Sequence, residues 1–401
     1  MKPEKVLLIS DFALPVKAGT ERLVFGAAEW LNKKGIKTDI LTPNWNNLKE
    51  KETVDGVTVY RFNTHEIHKT NPLKRINDYI NAGKKLGEYD VYHGFYTMPP
   101  LLATIKLAKK MKGKSVLTFF GREQLEKNFS NPIKKLFLLN SLKKADKITT
   151  YTWNLQKHFK EKYFKEKKIT TLQGWAENKF KKISCEKPKE KIVLFVGRID
   201  SSKGIFVLLE AFEKIKDKVK AKLVFVGPPY EKEKLNQKIK ESGMQDLTEV
   251  KGFVSDEELN KLYCQSEVVV VPALHGDAFG LSLMEAVVLG KPVVCTDSIG
   301  SPEGTDDKEL IVERGNVEEL SEMLEKILSD KKFYENAVKI SGKRAVLFNK
   351  DKVMKKYLQV YSELWFFSHT YFVALNKDSN VPASVQYPFK KFAFILFFSI
   401  K

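Results

Sequence analysis

Short apolar runs alternate with amphipathic stretches up to about residue 180, stop at a charged break, and then begin again. Such alternation is the pattern of βαβ units and a parallel sheet, so a restart describes two sheets in tandem. In the first half, strands are expected at 6–10, 38–42, 57–62, 90–93, 115–119, 147–151 and 169–173. A helix over about 21–34 follows a loop carrying Gly19. The break, KKISCEKPKEK at 181–191, contains Pro188 and reads as an interdomain linker. Beyond it, strands are expected at 192–197, 222–227, 248–253, 268–272 and 292–296, with helices near 203–217, 231–242, 255–265, 280–290 and 316–329. Asn316 is placed to cap the last of these. Doubly wound sheets bind ligands beyond the carboxyl ends of their strands, so the ligand site is expected in a cleft between the two units.

The expected division is a first Rossmann-like domain at 1–182 and a second at 190–350. A helix is expected at 351–367, and an aromatic and basic tail fills 368–401. A chain of 401 residues suits two such domains, and 43% apolar with 30% charged residues excludes a disordered or membrane-spanning class. No stretch approaches the roughly 20 apolar residues of a transmembrane helix, and the opening MKPEKVLLISDF is too short in apolar residues for a signal peptide. The tail ends in FKKFAFILFFSIK, for which an interfacial anchor, a packing strap and a poorly ordered end are all open readings.

Cys185, Cys264 and Cys295 are widely spaced and form no CxxC pair. Neither a disulfide framework nor a zinc site is expected; Cys264 and Cys295 read as small buried hydrophobes, and a reducing cytoplasm fits. The net charge of +19 is uneven: residues 1–180 carry about +16 and residues 181–401 about +3. A solvated lysine-rich surface and a first domain facing an anionic lipid or polyanion are both compatible with this.

Two stretches carry chemistry. IVLFVGRIDSSKGIFVLLEAF places Gly197 and Arg198 at the end of a strand and Lys203-Gly204 at the start of a helix. A planar guanidinium, an ammonium and free N–H groups at a helix start suit a diphosphate. VVVVPALHGDAFGLSLMEAVVLGKPVVCTD ends a buried strand at Pro272 and begins a helix near Gly280. Gly280 admits a ligand close to the backbone, and the N–H groups of Gly280, Leu281 and Ser282 face an anion unpaired. Glu285 lies within that helix among Leu283, Met284, Ala286, Val287 and Val288, where an unpaired carboxylate is costly, and it is suited to hold two vicinal ribose hydroxyls.

These two stretches, with the closing GKPVVCTDSIGSPE, resemble glycosyltransferase family 4 of the GT-B architecture. AGTERL (18–23) resembles the family's glycine-containing first loop, ADKITTYT (145–152) the strand that opens its last first-domain unit, and LQGWAENKF (172–180) the segment before its linker. The resemblance covers most of the chain and leaves the tail after about 367 outside. It implies an α/β GT-B fold: two tandem Rossmann-like domains, a cleft between them and a C-terminal helix returning to the first domain. It implies a retaining transferase moving a hexose-type sugar from a nucleotide-diphosphate sugar to a glycan or lipid-linked acceptor. No metal or other cofactor is implied.

Residue by residue, the resemblance implies that Gly19 and Thr20 approach the donor diphosphate and that Arg198 and Lys203 neutralise it as it leaves. Asp277 faces the donor sugar, Phe279 to Ser282 line the donor loop, and Glu285 holds the ribose. Glu303 takes a structural or sugar-proximal place. The chain departs from the pattern in having Asp277 where a glutamate is usual, and Phe120, in SVLTFFGRE (115–123), where a histidine is common. Of the histidines, His93 reads as structural, His65 and His68 as loop residues, and His275 belongs to the donor loop. An anionic membrane surface is a candidate partner, nucleic acid is not expected, and the expected location is cytoplasmic and peripheral to the membrane's inner face. The competing readings are a GT-B nucleotide-sugar epimerase, a polymerising transferase, and a degenerate scaffold that binds a polyanion or membrane.

Overall fold

The computed structural model describes residues 2–375 apart from 14–18, 46, 64–70, 130, 166–168, 178, 181, 187, 276–279, 299, 301 and 306–307. Two sheets stand on either side of the 181–191 break. The first has eight strands: β1 (Lys5–Ile9), β2 (Lys37–Asn44), β3 (Lys51–Val54), β4 (Val57–Asn63), β5 (Val91–Phe95), β6 (Lys114–Phe119), β7 (Lys147–Thr150) and β8 (Ile169–Thr171). Their order is β3-β4-β2-β1-β5-β6-β7-β8, parallel except for the β3–β4 hairpin. The second has six: β9 (Lys191–Val196), β10 (Ala221–Val226), β11 (Thr248–Gly252), β12 (Val268–Val271), β13 (Val293–Thr296) and β14 (Ile311–Val312). They lie in the order β11-β10-β9-β12-β13-β14, all parallel. That is the doubly wound order 3-2-1-4-5-6, which reverses between β9 and β12 and opens a crevice there.

The helices are α1 (Gly19–Lys33), α2 (Pro72–Lys85), α3 (Met98–Lys110), α4 (Glu123–Glu126), α5 (Pro132–Leu142), α6 (Trp153–Lys162), α7 (Ile205–Ile215), α8 (Lys232–Glu241), α9 (Asp256–Gln265), α10 (Leu281–Val288), α11 (Pro302–Thr305), α12 (Val317–Ser329), α13 (Lys331–Arg344) and α14 (Lys350–Leu375). Every strand expected from the alternation is present within a residue or two, and Asn316 caps α12 by accepting from the Glu319 N–H at 3.1 Å. Two strands lie outside that expectation. β3 turns into β4 through Asp55 and Gly56, both at positive φ, the geometry of a tight hairpin with an Asp-Gly tip. β14 is only two residues long and closes the second sheet beside β13.

One apolar core runs from β1, β5 and α1 through Tyr151, Trp175 and Met284 to α10 and α14, so the two lobes share buried contacts. α14 returns to the first lobe, as the expected crossing helix should. The Trp30 indole donates to Asp351, the Lys147 ammonium meets Glu363 at 3.0 Å, and the Tyr361 hydroxyl lies 2.7 Å from His93 Nδ1. The helix continues to Leu375, so residues 368–375, expected as tail, are helical. No helix among the described residues is long and apolar enough to cross a membrane.

The expectation that no disulfide forms is corrected. Cys185, in the linker, is bonded to Cys264 on α9, 79 residues away. Cys295 is the buried free thiol, on β13 as expected, and burial pushes its pKa up to about 12. Spacing alone could not pair Cys185 with Cys264, because the linker has no local pattern that places it against α9.

Candidate active site

The second-lobe loops converge at the topological switch point. β9 delivers Gly197 and Arg198, and a single 3₁₀ turn, Ser201–Lys203, leads through Gly204 into α7. Gly204 has φ +73°, and a Cβ there would stand 1.9 Å from the Pro272 carbonyl oxygen at the end of β12. Only glycine permits that approach, and it joins the two motif loops: the Leu274 N–H donates to the Ser202 carbonyl at 3.1 Å. Arg198 is exposed, with its Nε 3.3 Å from Asp200 and its guanidinium 5.9 Å from the Tyr230 ring centre. Burial, followed by the nearby Arg198 charge, lowers the Lys203 pKa below the ordinary lysine value, while Asp200 opposes this. Two cations in close company with one carboxylate leave net positive charge for an anion.

α10 starts at the same strand end: a Cβ on Gly280 would lie 3.7 Å from Val271, the residue before Pro272. Gly280 occupies its cap position with no side-chain cap, and Gly280, Leu281 and Ser282 are half-exposed. Positive partial charge therefore gathers at this helix end. Asp277 and Phe279 lie outside the described residues, as do His65 and His68. One turn further in, Glu285 is buried and accepts from the Tyr263 hydroxyl at 2.7 Å. Burial raises its carboxyl pKa; the Tyr263 bond and the charges of Arg22 and Lys179 lower it. Arg22 belongs to α1, whose first residues are Gly19 and Thr20, so the start of α1 in the first lobe lies near Glu285 in the second.

The first-lobe wall of the cleft carries Asp11, Glu21, Tyr96 and Phe120. Asp11 follows β1, buried against the Tyr79 hydroxyl at 2.9 Å and Arg75 at 3.4 Å. One carboxylate oxygen of Glu21 is buried with no hydrogen-bond partner among the described residues. Tyr96 follows β5 at φ +76°, a strained backbone for a bulky residue. Burial, then the charges of Glu21 and Asp11, raise its hydroxyl pKa, while Lys127 and the second-lobe Arg198 lower it, which sets Tyr96 where the lobes face each other. Phe120 is buried in an aromatic cluster, its ring centre 4.9 Å from Tyr151 and 6.2 Å from Tyr96. The position thus holds a packing ring with no proton to give or take.

The structure brings Gly197, Arg198, Lys203 and Gly280 to Ser282 together, with Glu285 one turn behind them. His93 is structural, as expected: buried, between Tyr361 and Thr118. Glu303 has a role that its sequence position alone does not show. Its carboxylate accepts from the Trp153 N–H at 2.8 Å and from the Asn154 N–H, so a second-lobe side chain caps the first-lobe helix α6. Tyr263, Tyr96 and Glu21 were not singled out from the sequence. Their signal, a polar group at the end of a strand or start of a helix, is common to many residues without function. Among the described residues, no cluster of three or more His, Cys, Asp or Glu side chains is arranged to hold a metal ion.

Both halves of the chain match known protein families. The family model described as Glycosyltransferase Family 4 matches residues 18–174, and Glycosyl transferases group 1 matches residues 176–344. An uncharacterized glycosyltransferase of Methanocaldococcus jannaschii is 28% identical over 369 residues, covering 84% of this chain and 92% of that protein. The sucrose-phosphate synthase of Thermosynechococcus elongatus superposes with a TM-score of 0.76 at 20% identity, over 90% of this chain and 99% of that one. Anabaena HepE in complex with UDP-glucose superposes with a TM-score of 0.68 at 16% identity, over 90% and 99% of the two chains.

Proposed function

The chain belongs to the group 1 glycosyl transferases, glycosyltransferase family 4, and on that premise we propose a retaining hexosyltransferase that takes its sugar from a nucleoside diphosphate. The observation that carries this reading is the convergence of Arg198, Lys203 and the glycine-capped start of α10 at the β9–β12 switch point. Glu285 one turn in would hold the ribose, and the base would lie at the carboxyl end of β11, where Phe253 is exposed. HepE binds UDP-glucose on the same fold, which supports a UDP-hexose as the first donor to try.

Breaking the sugar–phosphate bond leaves a diphosphate of growing negative charge and a sugar with oxocarbenium character. The two cations and the helix end stabilise the first, and each donor contributes about 2–4 kcal/mol to lowering the barrier. With a phenylalanine at 120, the first lobe offers no base there, and the departing phosphate oxygen takes the acceptor's proton on the face it leaves. That route retains the anomeric configuration. Positive side chains take the part a divalent ion would play, so transfer is metal-independent in this reading. The acceptor is a glycan or lipid-linked sugar, met at the cytoplasmic face of a membrane. Arg198→Ala and Lys203→Ala should each lower turnover about 100-fold or more with little change in melting temperature. Transfer assays with UDP-hexoses, with and without chelator, test this; near-parental rates in both variants would remove the assignment.

A further inference from the structure

The described residues with large exposed apolar side chains are few, and three of them share one helix. In α5, Ile133 is 78% exposed, Leu136 62% and Phe137 72%. At 100° per residue these three fall on one side of the helix with Asn140, Lys143 and Lys144 of the same and the following turn. Leu138 and Leu142 fall on the opposite side, where they are buried against the sheet. The helix is thus apolar on both faces, yet only one is covered by the described residues, an arrangement that marks an unmet partner.

Charge tells what the partner is. Lys134, Lys143 and Lys144 are exposed around this face, and Lys106, Lys109 and Lys110 are exposed on α3, which packs beside α5. None of these six lysines has a carboxylate partner among the described ion pairs. At the ends of α2 and α3, contact with the Lys110 ammonium lowers the Lys84 pKa, so two like charges stand side by side and concentrate positive charge on this layer. Leu73, 68% exposed at the start of α2, adds apolar surface to the same helical layer.

We propose that the outer face of the first lobe, centred on Ile133, Leu136 and Phe137 of α5 and ringed by these lysines, docks on an anionic lipid surface. The apolar side chains enter the acyl boundary and the lysines meet headgroup phosphates, the division of labour of an interfacial helix. The proposal gives a place on the molecule to the membrane that the lipid-linked acceptor reading calls for, and it rests on that reading only there. The test needs neither donor nor acceptor, so its failure leaves sugar transfer standing.

The full chain is sedimented with vesicles of phosphatidylcholine alone and with 30% phosphatidylglycerol. It should bind the anionic vesicles, less so at high salt, and not the neutral ones. The triple variant Ile133→Ser, Leu136→Ser, Phe137→Ser should lose at least tenfold in apparent affinity. The variant Lys134→Gln, Lys143→Gln, Lys144→Gln, which leaves the apolar side chains in place, should lose a similar factor. Unchanged binding by the serine variant would overturn the proposal and move attachment elsewhere, such as the 368–401 tail. So would absence of vesicle binding by the parent, or a parental dimer that the serine variant dissolves.

Discussion

His93 lies in the middle of β5 and Phe120 just after the neighbouring β6, and neither does proton chemistry. His93 has its two ring nitrogens 2.7 Å from the Tyr361 hydroxyl and 2.6 Å from the Thr118 hydroxyl, and burial pushes its pKa down to about 3. A histidine held neutral in the folded state takes up a proton only on unfolding. Its stabilisation is therefore complete above the unfolded value near 6.5 and is lost progressively as pH falls from there towards 3. The parent should lose up to about 1.4 kcal/mol of stability per pH unit from this group below pH 6. His93→Leu should be less stable at pH 8 by about 1–3 kcal/mol, because Tyr361 and Thr118 lose a partner, and should show a flatter pH dependence. Urea unfolding at pH 8, 6 and 5 measures both; parallel losses in parent and variant would mean that His93 does not set the slope. Arg198 and Lys203 show the contrary case: two cations share the one carboxylate of Asp200, which leaves positive charge for a ligand.

At the scale of elements, the linker and α14 hold the lobes in relation. The Lys350 ammonium at the start of α14 lies 2.8 Å from Glu177 and 3.2 Å from Glu29, bringing the helix, the segment before the linker and α1 to one buried point. The Cys185–Cys264 bridge then ties the linker to α9, whose Tyr263 holds Glu285. In a reducing compartment the pair would rest as thiols, and in an oxidising one as the bridge. A closed loop of this length contributes about 2–4 kcal/mol by restricting the unfolded chain. Protein unfolded without reductant should thus show one reactive thiol, Cys295, and three after reduction. Dithiothreitol should lower the melting temperature, and Cys264→Ser should match that lower value and no longer respond. A reductant-insensitive melting temperature with three thiols from the start would show that the bridge does not form.

At the scale of the whole molecule, the transfer reaction depends on the lobes meeting in register, and Glu303 is one of the contacts that hold them so. It reaches from the second lobe to the first two N–H groups of α6, where a carboxylate also meets the helix dipole. Glu303→Ala should uncouple the lobes while leaving the donor loops intact. The expected result is a fall in kcat/KM on the order of tenfold, since small misplacements of reacting groups are costly. Stabilisation by UDP-hexose should persist, at about 2.7 kcal/mol when the donor stands at 100 times its Kd. Kinetics alongside donor-dependent melting separates the two effects; equal loss of donor stabilisation would place Glu303 in the donor site itself.

The alternation of apolar runs and amphipathic stretches was enough to read two parallel sheets, their break and nearly all their strands. Periodicity is a local property written into each element, and the order 3-2-1-4-5-6 then places the Gly197–Gly204 loop beside Pro272 and Leu274. The open end of α10 was legible for the same reason, from a glycine ahead of an apolar helix. Contacts between distant positions were settled by tertiary packing: Cys185 with Cys264 at 79 residues' separation, Glu303 with Trp153 at 150, and His93 with Tyr361 at 268. The short β14 and the uncovered side of α5 were settled in the same way. None of these has a period, and each depends on which surfaces the folded lobes bring together or leave bare.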